Sequence, residues 1–517
     1  MSVMAYLSLF LCCLVVVHGL GVDVVTDVVV TESGPIVGKE VQYDGQTVSQ
    51  YLGIPFAEPP IEELRFRKPV MIQPWNSTYQ ALRFQASCIQ NLYTNDKWLI
   101  PTLDTSEDCL HLNVFVPNVT IVNAKKAVMV WIHGGGFTNG QSSMYDGSYL
   151  ALKGGIIVVT INYRLGLLGF LSTGDKSARG NYGLWDQSLA IKWVHDNIEN
   201  FGGDKDRVTI FGESAGGYSA SLQTLLPVNK GHFSRAISES GTACSPSAVS
   251  IDVLEVAKSA AEKLGCPVLN DTSEIVECLR SMPAEKILDI QDSAFNSFDG
   301  PSDFHSRNGA VVDGELLTDT PINLLNDKDS DAYQFFKSLD ILAGSNNAEA
   351  LMYWSMAAYQ NKYNYSLNDG IPNEVLCNEV VQKVSRTFYN SNTEVEDAIC
   401  KEYSRPGASL AESGQSILDV YSDMQFMIPA VRLLDYHAEN QTTYMNGNTF
   451  QYVFTHQPAY SWIQDRPAWL IGANHCDEEA FVFGLDAMYP EDHVQPDEEK
   501  VLSDQIMTYW TNFANTG

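Results

Sequence analysis

The chain predicts an α/β protein: a large, mostly parallel central sheet with helices on both faces. Three observations carry that prediction. Continuous apolar runs recur in the first half, at residues 127–133 (AVMVWIH) and 155–163 (GIIVVTINY), as strands buried on both faces require. Segments with apolar residues at helical spacing lie between and after further strand-like runs. No Pro/Ser-rich linker, internal repeat or low-complexity tract divides the 517 residues. That favours one large domain over the three that roughly 150 residues per domain would suggest.

The elements follow in order. The run at 127–133 is the first clear strand, and a Gly-rich loop separates it from the second, at 155–163. Residues 186–199 carry Leu189, Ile191, Trp193, Val194 and Ile198 at helical spacing. A third strand is read at 207–211 (RVTIF) and a helix from Gly216, with Ala220, Leu222, Leu225 and Leu226 as its apolar positions. A fourth strand is read at 233–238 (FSRAIS). Residues 249–440 are more helical and less regular. Short strand-like runs end at 341–344 and fill 449–455 (TFQYVFT). Strands alternating with helices in this way build parallel sheets.

Composition bounds the function. With 45% hydrophobic and 11% aromatic residues the chain can bury a core, so disorder is excluded as its dominant state. The 32 basic and 63 acidic residues leave a net charge of −31, which repels phosphate backbones and excludes a basic nucleic-acid surface. Residues 5–17 form an apolar run too short to span a bilayer, followed by Gly19 and Gly21. It reads as a secretory signal peptide, residues 1–19, leaving 20–517 as the mature chain and an extracellular location. No other segment is long and apolar enough to span a membrane.

Cysteine usage agrees with export. Cys12 and Cys13 fall in the leader, so ten cysteines become eight: Cys88, Cys109, Cys244, Cys266, Cys278, Cys377, Cys400 and Cys476. An even count suits disulfide pairing in an oxidising compartment. No Cys/His spacing suggests a metal. Candidate glycosylation sequons occur at Asn76, Asn118, Asn270, Asn364 and Asn440.

The strongest motif is Gly212-Glu213-Ser214-Ala215-Gly216, a G-x-S-x-G sequence between a strand and a helix. A tight turn there strains the serine backbone and pushes its Oγ into the site, and the flanking glycines avoid collision with neighbouring backbone. The Ala215 N–H and the helix N-terminus then face a developing oxyanion. His133-Gly134-Gly135-Gly136 follows a buried strand, and its glycines let N–H groups approach a substrate oxygen. The phosphate-loop patterns G-x-x-x-x-G-K-[ST] and G-x-G-x-x-G are both absent. A serine nucleophile needs a base and an orienting acid in the order Ser, Asp/Glu, His. His232, His305, His437, His456 and His475 all follow Ser214, and the residue pattern alone does not choose among them.

At these residues the chain resembles the type-B carboxylesterase/cholinesterase family of α/β-hydrolases. The likeness rests on FGGDKDRVTIFGESAG around Ser214 and on Glu107-Asp108-Cys109-Leu110, with His111 where Tyr is usual. YLGIPFAEPP, LRFRKP, INYRLGLLGFL and NYGLWDQSLAIKWVHDNIENFGGD extend it. The resemblance runs from about Val28 to the last residue, dense to Gly241 and patchy beyond. It implies the α/β-hydrolase fold and ester hydrolysis without metal or organic cofactor. It assigns Ser214 as nucleophile, His475 as base then acid, and Glu349 as the orienting acid. GSNNAEA around Glu349 departs from the family's usual K-D-E-G run, and Cys476 stands where Gly is common. The implied oxyanion donors are Gly135, Gly136 and Ala215, and the resemblance also implies Glu213 and Ser240 as supporting residues around the site. The resemblance also pairs Arg65 with Glu107, Cys88 with Cys109 and Cys266 with Cys278. The other four cysteines allow three pairings.

For the substrate, the resemblance points to Trp98, Phe304, Met352 and Tyr353 as pocket candidates. A choline ester needs an aromatic face for its ammonium. Trp98 stands one residue further from Cys109 than a cholinesterase would have it, and Met352 replaces an aromatic, so the choline site looks incomplete. The reading is a secreted serine carboxylesterase acting on a small-molecule or lipid ester. The alternatives are a cholinesterase, or a cholinesterase-like adhesion protein that keeps the fold. The chain stops at YWTNFANTG, where members of the family continue, so a truncated C-terminus is expected, with oligomeric state left open.

Overall fold

The computed structural model describes residues 24–43, 45–91, 104–119, 125–268, 271–296, 304–349, 356–439, 447–461, 466–489 and 493–517. The leader, Trp98, Met352, Tyr353, Asn270 and Asn440 lie outside the described residues. Nine strands form the main sheet. In chain order they are β1 (Lys39–Tyr43), β2 (Gln46–Pro55), β3 (His111–Pro117), β4 (Lys126–Ile132), β5 (Ile157–Ile161), β6 (Gly203–Glu213), β7 (Arg235–Glu239), β8 (Asp340–Asn346) and β9 (Thr449–Phe454). Their spatial order is β9-β8-β7-β6-β4-β5-β3-β2-β1. The six strands β4 to β9 run parallel, while β1, β2 and β3 pair antiparallel at the other end.

Alternation along β4 shows why its sequence is apolar throughout. Val128, Val130 and Ile132 enter one core, and Ala127, Met129 and Trp131 enter the other. A period of two on a strand covered on both sides leaves no polar position. The first core is closed by α2 (Tyr182–Asn197), α3 (Ala215–Gln223) and α4 (Ile428–Ala438). The second is closed by α1 (Ser148–Gly154), α5 (Glu479–Phe483) and α6 (Asp497–Thr516). Trp131 is fully buried there, with Tyr145, Phe211 and Phe483 at ring-centroid distances of 4.9, 4.8 and 4.9 Å. Truncating such a ring to alanine costs about 3–5 kcal/mol. The strand that leads into the glycine loop is thereby fixed.

The expected fourth strand, 233–238, begins two residues later, at Arg235. Pairing decides this, because parallel contact with β6 starts at Thr209↔Arg235. The irregular middle of the chain forms two satellite cores. Val256, Ile275 and Leu279 pack in one, beside the Cys266–Cys278 disulfide. Phe304, Val380, Ile417 and Tyr421 pack in the other, which Cys377–Cys400 ties together. A further disulfide joins Cys88 to Cys109, and Arg65 forks onto Glu107 at 2.7 and 2.6 Å. Complete pairing of the eight cysteines is corrected: Cys244 and Cys476 remain thiols. The sequon residues Asn76, Asn118 and Asn364 are exposed. No described helix is long and apolar enough to cross a membrane.

Candidate active site

Parallel strands bring their C-terminal ends to one edge of the sheet, where open α/β sheets form crevices. β4, β6, β8 and β9 each lead into a loop there. Ser214 sits between the last residue of β6 and the first of α3, with φ 56° and ψ −121°. This backbone is one that L-residues avoid, and it costs of order 1–3 kcal/mol. Packing holds it. A Cβ on Gly216 would stand 1.9 Å from the Ile132 carbonyl oxygen, and one on Gly212 would stand 2.4 Å from the same atom. Only glycine lets β6 and α3 meet β4 this closely.

Glu349 follows β8 and His475 precedes α5. His475 Nδ1 lies 2.6 Å from Glu349 Oε2, and its Nε2 lies 2.8 Å from Ser214 Oγ. The second Glu349 oxygen accepts the Asn346 N–H at 2.8 Å. Glu349 and His475 are both buried, whereas Ser214 is partly open to solvent. The carboxylate beside Nδ1 assigns the ring proton to that nitrogen and leaves the Nε2 lone pair to the serine hydroxyl. Phe426 stands against the imidazole, ring centroids 5.0 Å apart.

The glycine loop lies over this serine. A Cβ on Gly134 would be 3.2 Å from the Ser214 Cβ. Gly135, Gly136 and Phe137 have φ of 101°, 60° and 60°, so the loop winds left-handed. The Gly136 carbonyl accepts the Asn308 side chain at 3.1 Å, which fixes the loop from outside. His133 stacks on Tyr163 at 4.4 Å, and burial pushes its imidazole down to about 4, so it stays neutral. Among the described residues, the N–H groups of Gly135 and Gly136 donate no hydrogen bond within the chain. The Ala215 N–H, at the first position of α3, has no helical partner either. Three free N–H groups beside a serine can hold an oxyanion.

Buried acids surround the relay. Glu213 Oε1 stands 3.3 Å from His475 Nε2. Burial, and then the carboxylates of Glu479, Glu478 and Glu349, push Glu213 far above the usual carboxyl range. Ser240 Oγ donates to Glu478 Oε1 at 3.2 Å, and Asn346 Nδ2 donates to the other Glu478 oxygen. Burial and the Glu349 charge push Glu478 up to about 7. The fold also brings Glu213, His475 and Cys476 together, although no sequence spacing suggested a ligand set.

Sequence reasoning passed over Asn346, Glu478 and Phe426. Asn346 lies in the polar GSNNAEA run and Glu478 opens the EEAFVFG run shortly after His475, so both carried a signal. Phe426, in a helical region 49 residues upstream of His475, carried none. Phe304 is buried in a satellite core, stacked on Tyr421 at 5.3 Å and tilted against Phe388 at 5.4 Å. Trp98, Met352 and Tyr353 lie outside the described residues.

The sequence profile of the carboxylesterase family matches residues 25–517. The chain belongs to the carboxylesterase family. Among its relatives, bile salt-activated lipase of Bos taurus is 36% identical over 506 residues, covering 95% of this chain and 79% of the lipase. Liver carboxylesterase of Sus scrofa is 35% identical over 505 residues, covering 95% of this chain and 85% of that enzyme. Neuroligin-3 of Mus musculus is 35% identical over 517 residues, covering 91% of this chain but 58% of neuroligin-3. Membership accounts for the architecture: a carboxylesterase-family sheet is mostly parallel, as here, with helices on both faces.

Proposed function

We propose that the protein is a secreted serine carboxylesterase, with residues 1–19 as its removed leader and 20–517 as one catalytic domain. The observation that carries the reading is the unbroken relay from Glu349 through His475 to Ser214, at 2.6 and 2.8 Å. Ser214 Oγ attacks an ester carbonyl while His475 Nε2 takes its proton. The oxyanion forms against the N–H groups of Gly135, Gly136 and Ala215, each worth about 10²–10³ in rate. The imidazolium is stabilised by Glu349 and returns its proton to the leaving alcohol. Water then releases the acid from the acyl-enzyme by the same steps reversed. Glu213 supports the histidine at its Nε2 side, and Ser240 supports the buried acid Glu478 beside it.

The substrate class is a neutral carboxylic ester, small or lipid, in keeping with the carboxylesterase and lipase names of the relatives. Two alternatives are tested by the same experiment. A cholinesterase would prefer choline esters, and an adhesion protein like neuroligin would leave the serine idle. Labelling with a fluorophosphonate should place one adduct per chain, absent in Ser214→Ala, followed by turnover of a panel of choline and neutral esters. Well-folded protein that takes no label would overturn the enzyme reading in favour of adhesion.

A further inference from the structure

The thiol next to the base has no part in ester hydrolysis. Cys476 is half-buried with φ 67°, a backbone that suits glycine, yet the residue carries a side chain. Its Sγ, a Glu213 oxygen and a His475 ring nitrogen lie within 4.8 Å of one another, and Glu213 and His475 are already at 3.3 Å. Glu213 is 1% exposed. Among the described residues its oxygens accept no N–H or O–H hydrogen bond, and the Cys476 thiol is its side-chain partner. A buried carboxyl group whose partner is only a weak thiol donor is costly and calls for an explanation.

We propose that Glu213, His475 Nε2 and Cys476 form a binding site for a borderline-soft divalent cation, Zn²⁺ in the first instance, that shuts off the esterase. One thiolate, one imidazole and one carboxylate are the donors zinc takes, and magnesium or calcium would refuse the sulfur. Ligands at about 2.0–2.3 Å from zinc stand roughly 3.3–3.8 Å apart, so the set needs to close by about 1 Å. Rotation of the Cys476 and Glu213 side chains supplies that. The partly open Ser214 and Cys476 give the ion a path, and water or Ser214 Oγ completes the tetrahedron. Binding releases the Cys476 thiol proton and the Glu213 carboxyl proton to solvent and replaces the hydrogen bond between His475 Nε2 and Ser214; no electron is transferred. His475 then has no lone pair for the serine proton.

The binding half stands on geometry alone, and the inhibitory half rests on the proposed esterase. Both are read on the full chain freed of metal by a chelator. Cd²⁺ titration should raise a thiolate-to-metal charge-transfer band saturating at one ion per chain, and bound Cd²⁺ should protect Cys476 from maleimide, read by mass spectrometry on unmutated protein. Cys476→Gly should lose the band, while Cys244→Ser, at the other free thiol, should keep it. Zn²⁺ should inhibit hydrolysis reversibly, and Mg²⁺ should not. Losing an outer-shell partner alone weakens metal binding about 10–100-fold, so Cys476→Gly should raise the half-inhibiting Zn²⁺ concentration at least about tenfold. No band at saturating Cd²⁺, a band surviving in Cys476→Gly, or unprotected Cys476 would overturn the site. Equal inhibition of native and variant protein would overturn the switch and place the ion on the acidic surface. Fluorophosphonate labelling without metal tests the esterase separately, and the Cd²⁺ band is decisive whether or not the enzyme turns over.

Discussion

Glu349 does two jobs with two oxygens. One accepts from His475 Nδ1 at 2.6 Å and the other from the Asn346 N–H at 2.8 Å. Glu349→Gln preserves shape but turns an N–H₂ toward one of these donors. The Asn346 N–H cannot rotate away, so the amide nitrogen faces Nδ1 and forces the ring proton onto Nε2. That nitrogen then no longer accepts from Ser214. The expected outcome is a fall in kcat of about 10³–10⁴ with KM nearly unchanged, measured on a neutral ester. A variant with near-native kcat would show that another carboxylate orients the base. At this scale the sequence was only partly legible. The elbow around Ser214 declared itself because strain requires glycines at fixed offsets. Glu349 and His475 emerged through family likeness, since they are 126 residues apart and no local pattern ties them together. Phe426 was invisible, because its contact with His475 depends on how a helical region folds over the sheet.

The elbow acts as an element, a strand, a turn and a helix locked against β4. The contact sits where β4 passes into the glycine loop, so disturbing it moves the nucleophile and the oxyanion donors together. Gly216→Ala places a methyl 1.9 Å from the Ile132 carbonyl oxygen and 3.0 Å from the His133 carbonyl carbon. Neither backbone atom can step aside without shifting β4. The expected cost is about 1–3 kcal/mol of stability in urea unfolding. Fluorophosphonate labelling of the still-folded protein should slow as well. Native stability and labelling rate would mean that the elbow tolerates displacement and that its glycine serves chain flexibility alone. Among elements, the central strands were the legible ones, because burial on both faces writes an unbroken apolar run. β1 alternates half-buried and exposed residues at the edge of the sheet, and its antiparallel pairing with β2 left no such run to read. The strand β3 is marked in the sequence only by a family signature. The middle of the chain has a helical pattern, but which helices share a core depends on long-range contacts that periodicity does not encode.

Across the whole molecule, buried titratable groups couple stability to pH in opposite directions. Carboxyls pushed up by burial, such as Glu478, favour the folded state as pH falls, so the overall slope does not isolate any one group. His437 offers a cleaner handle far from the site. It closes α4, its Nδ1 lies 2.7 Å from Thr449 Oγ1 in β9, and the Phe336 ring stands edge-on at 4.9 Å. The groups facing it are Lys337, whose ammonium binds the His437 and Glu439 carbonyls, and Asp340. Burial and then the Lys337 charge push this imidazole from 6.5 down to about 4. Folded protein therefore keeps His437 neutral where the unfolded chain takes up a proton. Its contribution is fully present above pH 6.5 and is lost as pH falls toward 4, at about 1.4 kcal/mol per pH unit. His437→Gln retains a donor and an acceptor but no titration. Between pH 6.5 and pH 5, native protein should lose about 2 kcal/mol more stability than this variant in paired urea unfolding curves. Parallel losses would mean that His437 titrates normally when folded, and that α4 opens to water where it meets β9.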